Sequence, residues 1–384
     1  MLSAEEAARR LGVKVPTLYA YVSRGLLESH RDPVKRRSLF DLGDIEALAA
    51  RSRGPRETAS RLATITTGVT QLNQELGPLY RGRAATELAT SMSFEAVAEL
   101  LWESVEPGDW SAPDLGSCPL THTLDRMRWA LVMCGATDPL RADLRPAAVA
   151  RAARRSAAAL TEVVGPSPPR KDAGATIAER LTARLAPKSG FVPTSTVPAA
   201  AVNAALVLMA DHELATSTVA VRVAASVRSD PYDALLAGLA TLAGPLHGGA
   251  SQAAYELLVV AERDGVPRAL NDVLREQGRL PGFGHTVYKS GDPRFVALME
   301  LAAPLLSEQR RGLVNEVIEL ADAHDVPLAN CDLALAALSW GTGMPPDTGR
   351  TLFAVARVAG WAAHYLEEVT ERPVRFRARA VYSV

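Results

Sequence analysis

Polar and apolar positions at the start of the chain predict two short helices. Ser3-Ala4-Glu5-Glu6 has the spacing of a capping box: the Ser3 hydroxyl covers a free amide of the first turn and Glu6 reaches back, while Ala7, Ala8 and Leu11 form the apolar stripe. Gly12 ends that helix. A second follows over Pro16 to Arg24, with proline tolerated in the first turn and Gly25 as the stop. Two helices joined so tightly suggest a helix-turn-helix. Leu27 to Phe40 leaves room for a small wing, and Leu42, Ile45 and Leu48 give a third helix its buried stripe. Arg51 to Arg56 (RSRGPR) then interrupts the pattern as a polar linker. Further on, Arg141 to Pro198 is rich in Ala, Arg and Pro with repeated helical periodicity and reads as scaffold, and Leu333 to Trp340 is strongly apolar.

Composition supports the helical reading. Hydrophobic content of 48% with only 5% aromatic residues suits an alanine- and leucine-rich helical protein better than a β-sandwich. A chain of 384 residues is long enough for more than one core. The net charge of −1 gives no global field for a nucleic acid or membrane partner. Its distribution is uneven, however. Residues 1–56 hold 11 Lys/Arg against 7 Asp/Glu, a net of +4, and the remainder 31 against 36, a net of −5, which marks a boundary. Cys118, Cys134 and Cys331 are too scattered for a disulfide framework or a CxxC metal site. The first residues lack an apolar signal core, and the longest apolar stretch, Pro198 to Ala210, is broken by Asn203 and too short to span a bilayer. A cytoplasmic protein without a membrane partner is expected.

Chemistry is concentrated in three phrases: Gly244-Pro245-Leu246-His247-Gly248-Gly249, Gly282-Phe283-Gly284-His285 and Asn330-Cys331-Asp332. His247 and His285 are 38 residues apart, and Asp332 lies 47 further on, so only tertiary structure can unite them. A neutral imidazole donor, a second donor and a carboxylate base are what is needed to remove a proton from carbon beside a carbonyl. The glycines around His247 are expected to permit unusual backbone angles and close approach. A lone histidine in such a loop is more often a cap, and Asn330 or Asp332 is equally able to cap the helix that follows. Burial and a helix N-terminus pull the Asp332 pKa in opposite directions, leaving its sign open.

These phrases, with Ala210-Asp211-His212-Glu213, GFGHTVYKSGDPR from Gly282, and FAVARVAGWAAHY from Phe353, resemble the citrate synthases over roughly residues 57–384. The resemblance implies a mainly α fold, a large helical domain with a small helical domain inserted, and a homodimer sharing its active sites. It implies that His247 donates to the thioester oxygen, that His285 hydrogen-bonds the oxaloacetate ketone and protonates it, and that Asp332 is the base. For His247 the neutral form is expected, since an imidazolium would overcharge a weakly basic oxygen. His212, Arg294 and Arg357 match substrate-binding positions, and Arg377 matches the arginine contributed by the other subunit, guanidinium forks being suited to a dianion. Lys289 matches a coenzyme A contact. The substrates implied are oxaloacetate and an acyl-CoA, with no tightly bound cofactor and no metal.

Leu2 to Leu48 resembles a MerR/excisionase-type winged helix-turn-helix, which makes DNA a candidate partner through a module placed at residues 1–53. Its second helix contains no Lys or Arg before Arg24, although Lys14, Arg24, Lys35, Arg36 and Arg37 are placed to touch phosphates. The expected organisation is 1–53 for this module, 54–250 for the first part of the large domain, 251–351 for the small domain and 352–384 for the end of the large one. Two other functions share the motifs. One is a 2-methylcitrate synthase using propionyl-CoA, since one methylene in an apolar pocket is worth only about 1–3 kcal/mol. The other is a DNA-binding regulator that keeps the synthase fold as a ligand sensor.

Overall fold

The computed structural model describes residues 2–11, 13–23, 25–27, 29–31, 38–41, 44–45, 65–104, 108–165, 174–186, 197–245 and 247–376. The chain forms two compact units, residues 1–66 and 67–384.

In the first unit, helix α1 spans Ala4–Leu11 and α2 spans Val15–Ser23. The capping box forms: Glu6 N donates to Ser3 Oγ at 3.3 Å and Ser3 N to Glu6 Oε2 at 2.9 Å. Strands β2 (His30–Arg31) and β3 (Ser38–Phe40) make the antiparallel wing. An unexpected strand, β1 (Leu2–Ser3), pairs with the other edge of β3, because the residues before a capping box are extended and have free backbone groups. Ala7, Ala8, Leu18, Leu27, Phe40 and Ile45 form the small core. The expected third helix, apart from Asp44 and Ile45, lies outside the described residues, as does the linker.

The second unit opens with an antiparallel sheet of β4 (Thr70–Asn73), β5 (Gly77–Tyr80) and β6 (Arg83–Ala84). Helices follow: α3 (Ala85–Ser91), α4 (Phe94–Trp102), α5 (Thr123–Ala136), α6 (Pro146–Glu162), α7 (Ile177–Leu185), α8 (Val197–Leu208), α9 (Thr216–Ser226), α10 (Pro231–Leu242), α11 (Ala250–Asp264), α12 (Val266–Gln277), α13 (Pro293–Ala302), α14 (Glu308–Ala323), α15 (Cys331–Gly341) and α16 (Thr348–Thr370). None of the described helices is long and apolar enough to cross a membrane.

Two hydrophobic clusters organise this unit. The larger surrounds α16, which is apolar nearly all round and packs against α4, α6, α8, α9 and α10. The smaller joins α11, α12, α14 and α15. Helix α13 lies against both α8 and α15.

A buried polar cluster pins α16 in place. Arg222 Nη1 donates to Glu368 at 2.9 Å and also pairs with Glu367. Its Nε and Nη2 donate to His364 Nδ1 at 3.1 and 2.9 Å, so the ring hydrogen is left on Nε2, 3.2 Å from Asp211 Oδ2. Burial works against the Asp211 carboxylate, but His364 and Arg357 outweigh it and hold the pKa below the ordinary range. Gly360 lets α16 approach: a Cβ there would lie 2.2 Å from Asp211 Oδ1.

Gly360→Ala should therefore cost about 1–3 kcal/mol through overpacking. Gly312→Ala, in α14 with nothing within 4 Å of the added carbon, should leave stability unchanged or raise it. Urea denaturation of both variants checks the contrast, and equal midpoints would contradict the close-approach account.

Candidate active site

His212 follows α8 in a turn fixed by Asp211, whose Oδ2 accepts from Glu213 N at 3.1 Å. The Tyr80 hydroxyl holds the same turn, donating to backbone oxygens of Val207 and Asp211 at 3.0 and 3.1 Å. The His212 ring stands edge-on to His285, centroids 5.2 Å apart, and 5.6 Å from Tyr288. Burial, then Arg294 and Arg357, push its pKa well below the usual histidine value. Its Nε2 is buried and has no hydrogen-bond partner among the described residues.

His247 occupies the turn between α10 and α11. Contrary to the expectation of unusual angles, Gly244, Gly248 and Gly249 are not among the positive-φ residues. Close packing is the reason for glycine: a Cβ at Gly248 would lie 2.5 Å from Leu242 O. His247 Nε2 is 2.8 Å from Ser217 Oγ, which also accepts from Trp361 Nε1 at 3.3 Å. An indole only donates, so the serine hydrogen is free to point at Nε2, leaving Nδ1 as the imidazole donor. Burial, followed by Arg357, lowers this pKa to about 4.

His285 has the complementary arrangement. Its Nδ1 accepts from Val287 N at 3.0 Å and Tyr288 N at 3.2 Å, which places the ring hydrogen on Nε2. Arg294 Nη2 lies 3.2 Å from that Nε2. Two donors brought together in this way suit one shared acceptor. The pKa is again lowered to about 4, by burial and then Arg294.

Arg294 sits in the first turn of α13, 3% exposed, held by Asp292 through Nε–Oδ1 at 3.0 Å and Nη2–Oδ2 at 2.9 Å. Asp292 also accepts from Cys331 N at 3.0 Å and so links α13 to α15. Arg357 projects from α16 with Nε donating to Met209 O at 3.1 Å and its guanidinium 4.5 Å over Phe353, whose other neighbour is the His247 ring at 5.8 Å. Its Nη1 is buried without a partner among the described residues, as is the Tyr288 hydroxyl.

Asp332 is the second residue of α15. Asn330 supplies the cap, accepting from Asp332 N at 2.9 Å and donating from Nδ2 to Gly284 O at 2.7 Å. Capping therefore belongs to Asn330, and no described residue donates a hydrogen bond to the Asp332 carboxylate. Burial outweighs the attraction of Arg294 and raises the Asp332 pKa to about 6.

The structure thus gathers His212, His285 and Arg294 around Tyr288, with Asp332 within the field of Arg294 and His247 within that of Arg357. Lys289 stays exposed at the loop, its Nζ donating to His285 O at 2.9 Å. Arg377 lies outside the described residues; two positions earlier, Arg375 bonds Glu368 at 2.7 Å. Sequence reasoning overlooked Asp292, Ser217 and Tyr288. Asp292 and Tyr288 stand inside a quoted motif, whereas nothing local distinguishes Ser217.

Comparison with known proteins identifies the family. The family model for the citrate synthase C-terminal domain matches residues 113–379, and a helix-turn-helix domain model matches residues 1–53. Citrate synthase 2 of Bacillus subtilis is 29% identical over 339 residues, covering 79% of this chain and 89% of the relative. The 2-methylcitrate synthase 1 of Corynebacterium glutamicum is 30% identical over 331 residues, covering 75% and 84%. The citrate synthase of Saccharolobus solfataricus is 37% identical over 194 residues, so this chain spans about half (51%) of that relative's length. Among solved structures, citrate synthase of Thermotoga maritima superposes with a TM-score of 0.66 at 24% identity, covering 84% of this chain and 94% of that one. A ternary complex of the Thermoplasma acidophilum enzyme with carboxymethyl coenzyme A and oxaloacetate gives 0.64 at 23%, covering 85% and 96%. The glycine-loop histidines, the buried arginine pair and a family model that spans them lead to one conclusion: the chain belongs to the citrate synthase family of condensing acyltransferases.

Proposed function

We propose that this protein condenses an acyl-CoA, acetyl-CoA first among them, with oxaloacetate and water to give citrate and coenzyme A. The observation that carries this reading is the convergence of buried, unsatisfied polar atoms, His212 Nε2 and Arg357 Nη1, with the paired donors of His285 and Arg294. A keto-dicarboxylate satisfies such a set, its ketone oxygen taking the His285–Arg294 position and its carboxylates the guanidinium groups. Asp332 takes a proton from the acyl α-carbon while His247, neutral, donates to the thioester oxygen. The enol carbon then bonds to the ketone carbon, and the ketone oxygen receives its proton from His285. Water cleaves the thioester in a second step. Lys289 is assigned to coenzyme A. Propionyl-CoA is the alternative acyl donor, favoured by the likeness to a 2-methylcitrate synthase. Family resemblance supports a homodimer with Arg377 assigned to the partner's site, and the exposed Val223 and Val227, on and just after α9, suit an apolar subunit contact.

Two measurements bear directly on Asp332. In Asp332→Asn, turnover with oxaloacetate and either acyl-CoA should fall by about 10²–10⁴-fold, the range for loss of a general base. Oxaloacetate should still protect the variant against heat. Because the folded pKa lies above the unfolded one, ionisation of Asp332 opposes folding; the penalty grows as pH rises from the ordinary aspartate value of 3.8 to about 6 and is complete above that. At pH 8 the variant should therefore match or exceed the parent in stability, by up to about 3 kcal/mol before solvent screening. Near-parental turnover would remove Asp332 from the role of base.

The pH profile follows from the same shift. A base must be deprotonated, so turnover should rise through an apparent pKa of about 6 and level off above it. His247 and His285, lowered to about 4, should add no limb near neutrality. An acid limb centred near pH 4 would refute the assignment.

The helix-turn-helix match favours a second function, contact with DNA through residues 1–53. Binding should weaken as salt rises, because phosphate contacts release counterions. Deleting residues 1–56 should abolish it and leave turnover intact. No retention on genomic fragments at low salt would exclude the DNA function alone.

A further inference from the structure

The segment from Gly282 to Asp292 carries His285 yet contains no helix or strand, only a single bridge between Phe283 and Ala329. Its two ends are held differently. The first is tied to the approach to α15: Asn330 N donates to Gly282 O at 2.9 Å, Gly284 N to Leu328 O at 2.8 Å, and Asn330 Nδ2 to Gly284 O at 2.7 Å. The second end, Val287 to Lys289, provides the two amides that hold His285 Nδ1. Where those amides sit sets the rotation of the ring, and the rotation sets the direction of Nε2.

Among the described residues, the hydrogen bonds that reach Val287–Lys289 from another element both end on one side chain. Gln74 Nε2 donates to Val287 O at 2.7 Å, and Gln74 Oε1 accepts from Lys289 N at 3.4 Å. A carboxamide offers a donor to the carbonyl and an acceptor to the amide at once, which a carboxylate cannot do. The tip that presents Gln74 is itself ordered. Asn73 Oδ1 accepts from Glu75 N and Leu76 N, both at 2.9 Å, and Asn73 pairs with Gly77 across the hairpin. At the other end, the Tyr80 hydroxyl is fixed to the turn that carries His212, while Thr67 and Gly68 each bond Glu367 of α16 at 2.8 Å. The hairpin therefore connects the His285 loop to the same framework that places His212.

We infer that the β4–β5 hairpin is a strap that sets the aim of His285, with Gln74 as its positioning residue. This rests on the reading of His285 as the donor to the ketone oxygen. Gln74 is exposed, and exposed hydrogen bonds with a structural role alone would add a little stability and nothing else. The strap acts instead on turnover and on the imidazole.

The test uses the full chain with Gln74→Ala and Gln74→Glu. Thermal midpoint, kcat, both KM values and the ¹⁵N shifts of the His285 ring are measured, the ring resonances being assigned with His285→Asn. Gln74→Ala should lose about tenfold in kcat, equivalent to 1.4 kcal/mol of barrier. Gln74→Glu should lose more, since a carboxylate oxygen then faces Val287 O. The KM for acyl-CoA and the thermal midpoint should stay near parental values, and the His285 nitrogen shifts should move in both variants. Unchanged kcat and unmoved nitrogen shifts overturn the strap, as does a loss confined to stability. The parent and Asp332→Asn are assayed alongside. If Asp332→Asn is inactive while both Gln74 variants behave as the parent, the strap fails and the synthase reading stands. If the parent itself shows no turnover with oxaloacetate and either acyl-CoA, the synthase reading fails, and the nitrogen shifts still decide the strap: moved, they support it, and unmoved, they overturn it.

Discussion

The interaction on which the rest of the second unit depends is the buried contact between Arg222, His364 and Asp211. It joins α9 to α16 and both to the turn that carries His212, so the position of His212 is set by this framework. Removing one member would leave charged groups buried and uncompensated, which is far more costly than the net worth of the intact set. Gly360 shows how closely the framework is drawn, since its backbone lies against the Asp211 carboxylate with no room for a methyl group. Glu367 extends the cluster to Thr67 and Gly68, where the hairpin begins.

Electrostatics in the site follow from one competition, between burial and two fixed guanidinium groups. For the imidazoles both act in the same direction, because burial and a neighbouring cation each disfavour the charged ring; His212, His247 and His285 are therefore all held neutral. For Asp332 they oppose, and burial prevails, which gives a base stronger than an ordinary aspartate yet still ionised at neutral pH. For Asp292 they also oppose, and the outcome is reversed. There the Arg294 fork and backbone donors outweigh burial and hold the carboxylate ionised. Two aspartates forty residues apart thus differ in role because one is hydrogen-bonded to a guanidinium and the other is not.

Much of the fold was legible because its signals are local. A capping box, a proline in a first turn and a glycine stop each act within four residues, so α1 and α2 fell close to where they were expected. That His247, His285 and Asp332 could be put forward as a set had another reason: motif order survives however the chain folds. The hairpin and its hold on the His285 loop were not legible. Gln74 and Val287 are 213 residues apart, and no local pattern distinguishes Gln74 from a solvated surface glutamine.

What the sequence by itself determined is the helical character, the charge boundary near residue 56 and the residue types available for chemistry, since propensity, periodicity and side-chain chemistry are properties of the chain. Only the tertiary structure decided how those groups behave. The pKa of Asp332 could have moved either way until its burial was known, and Asn330 rather than Asp332 proved to be the cap. The glycines around His247 turned out to serve close packing and not unusual angles, because Leu242 folds back against Gly248. Desolvation, ring tautomers and the pairing of distant side chains depend on what surrounds a group in space, and neighbours along the chain do not specify those surroundings.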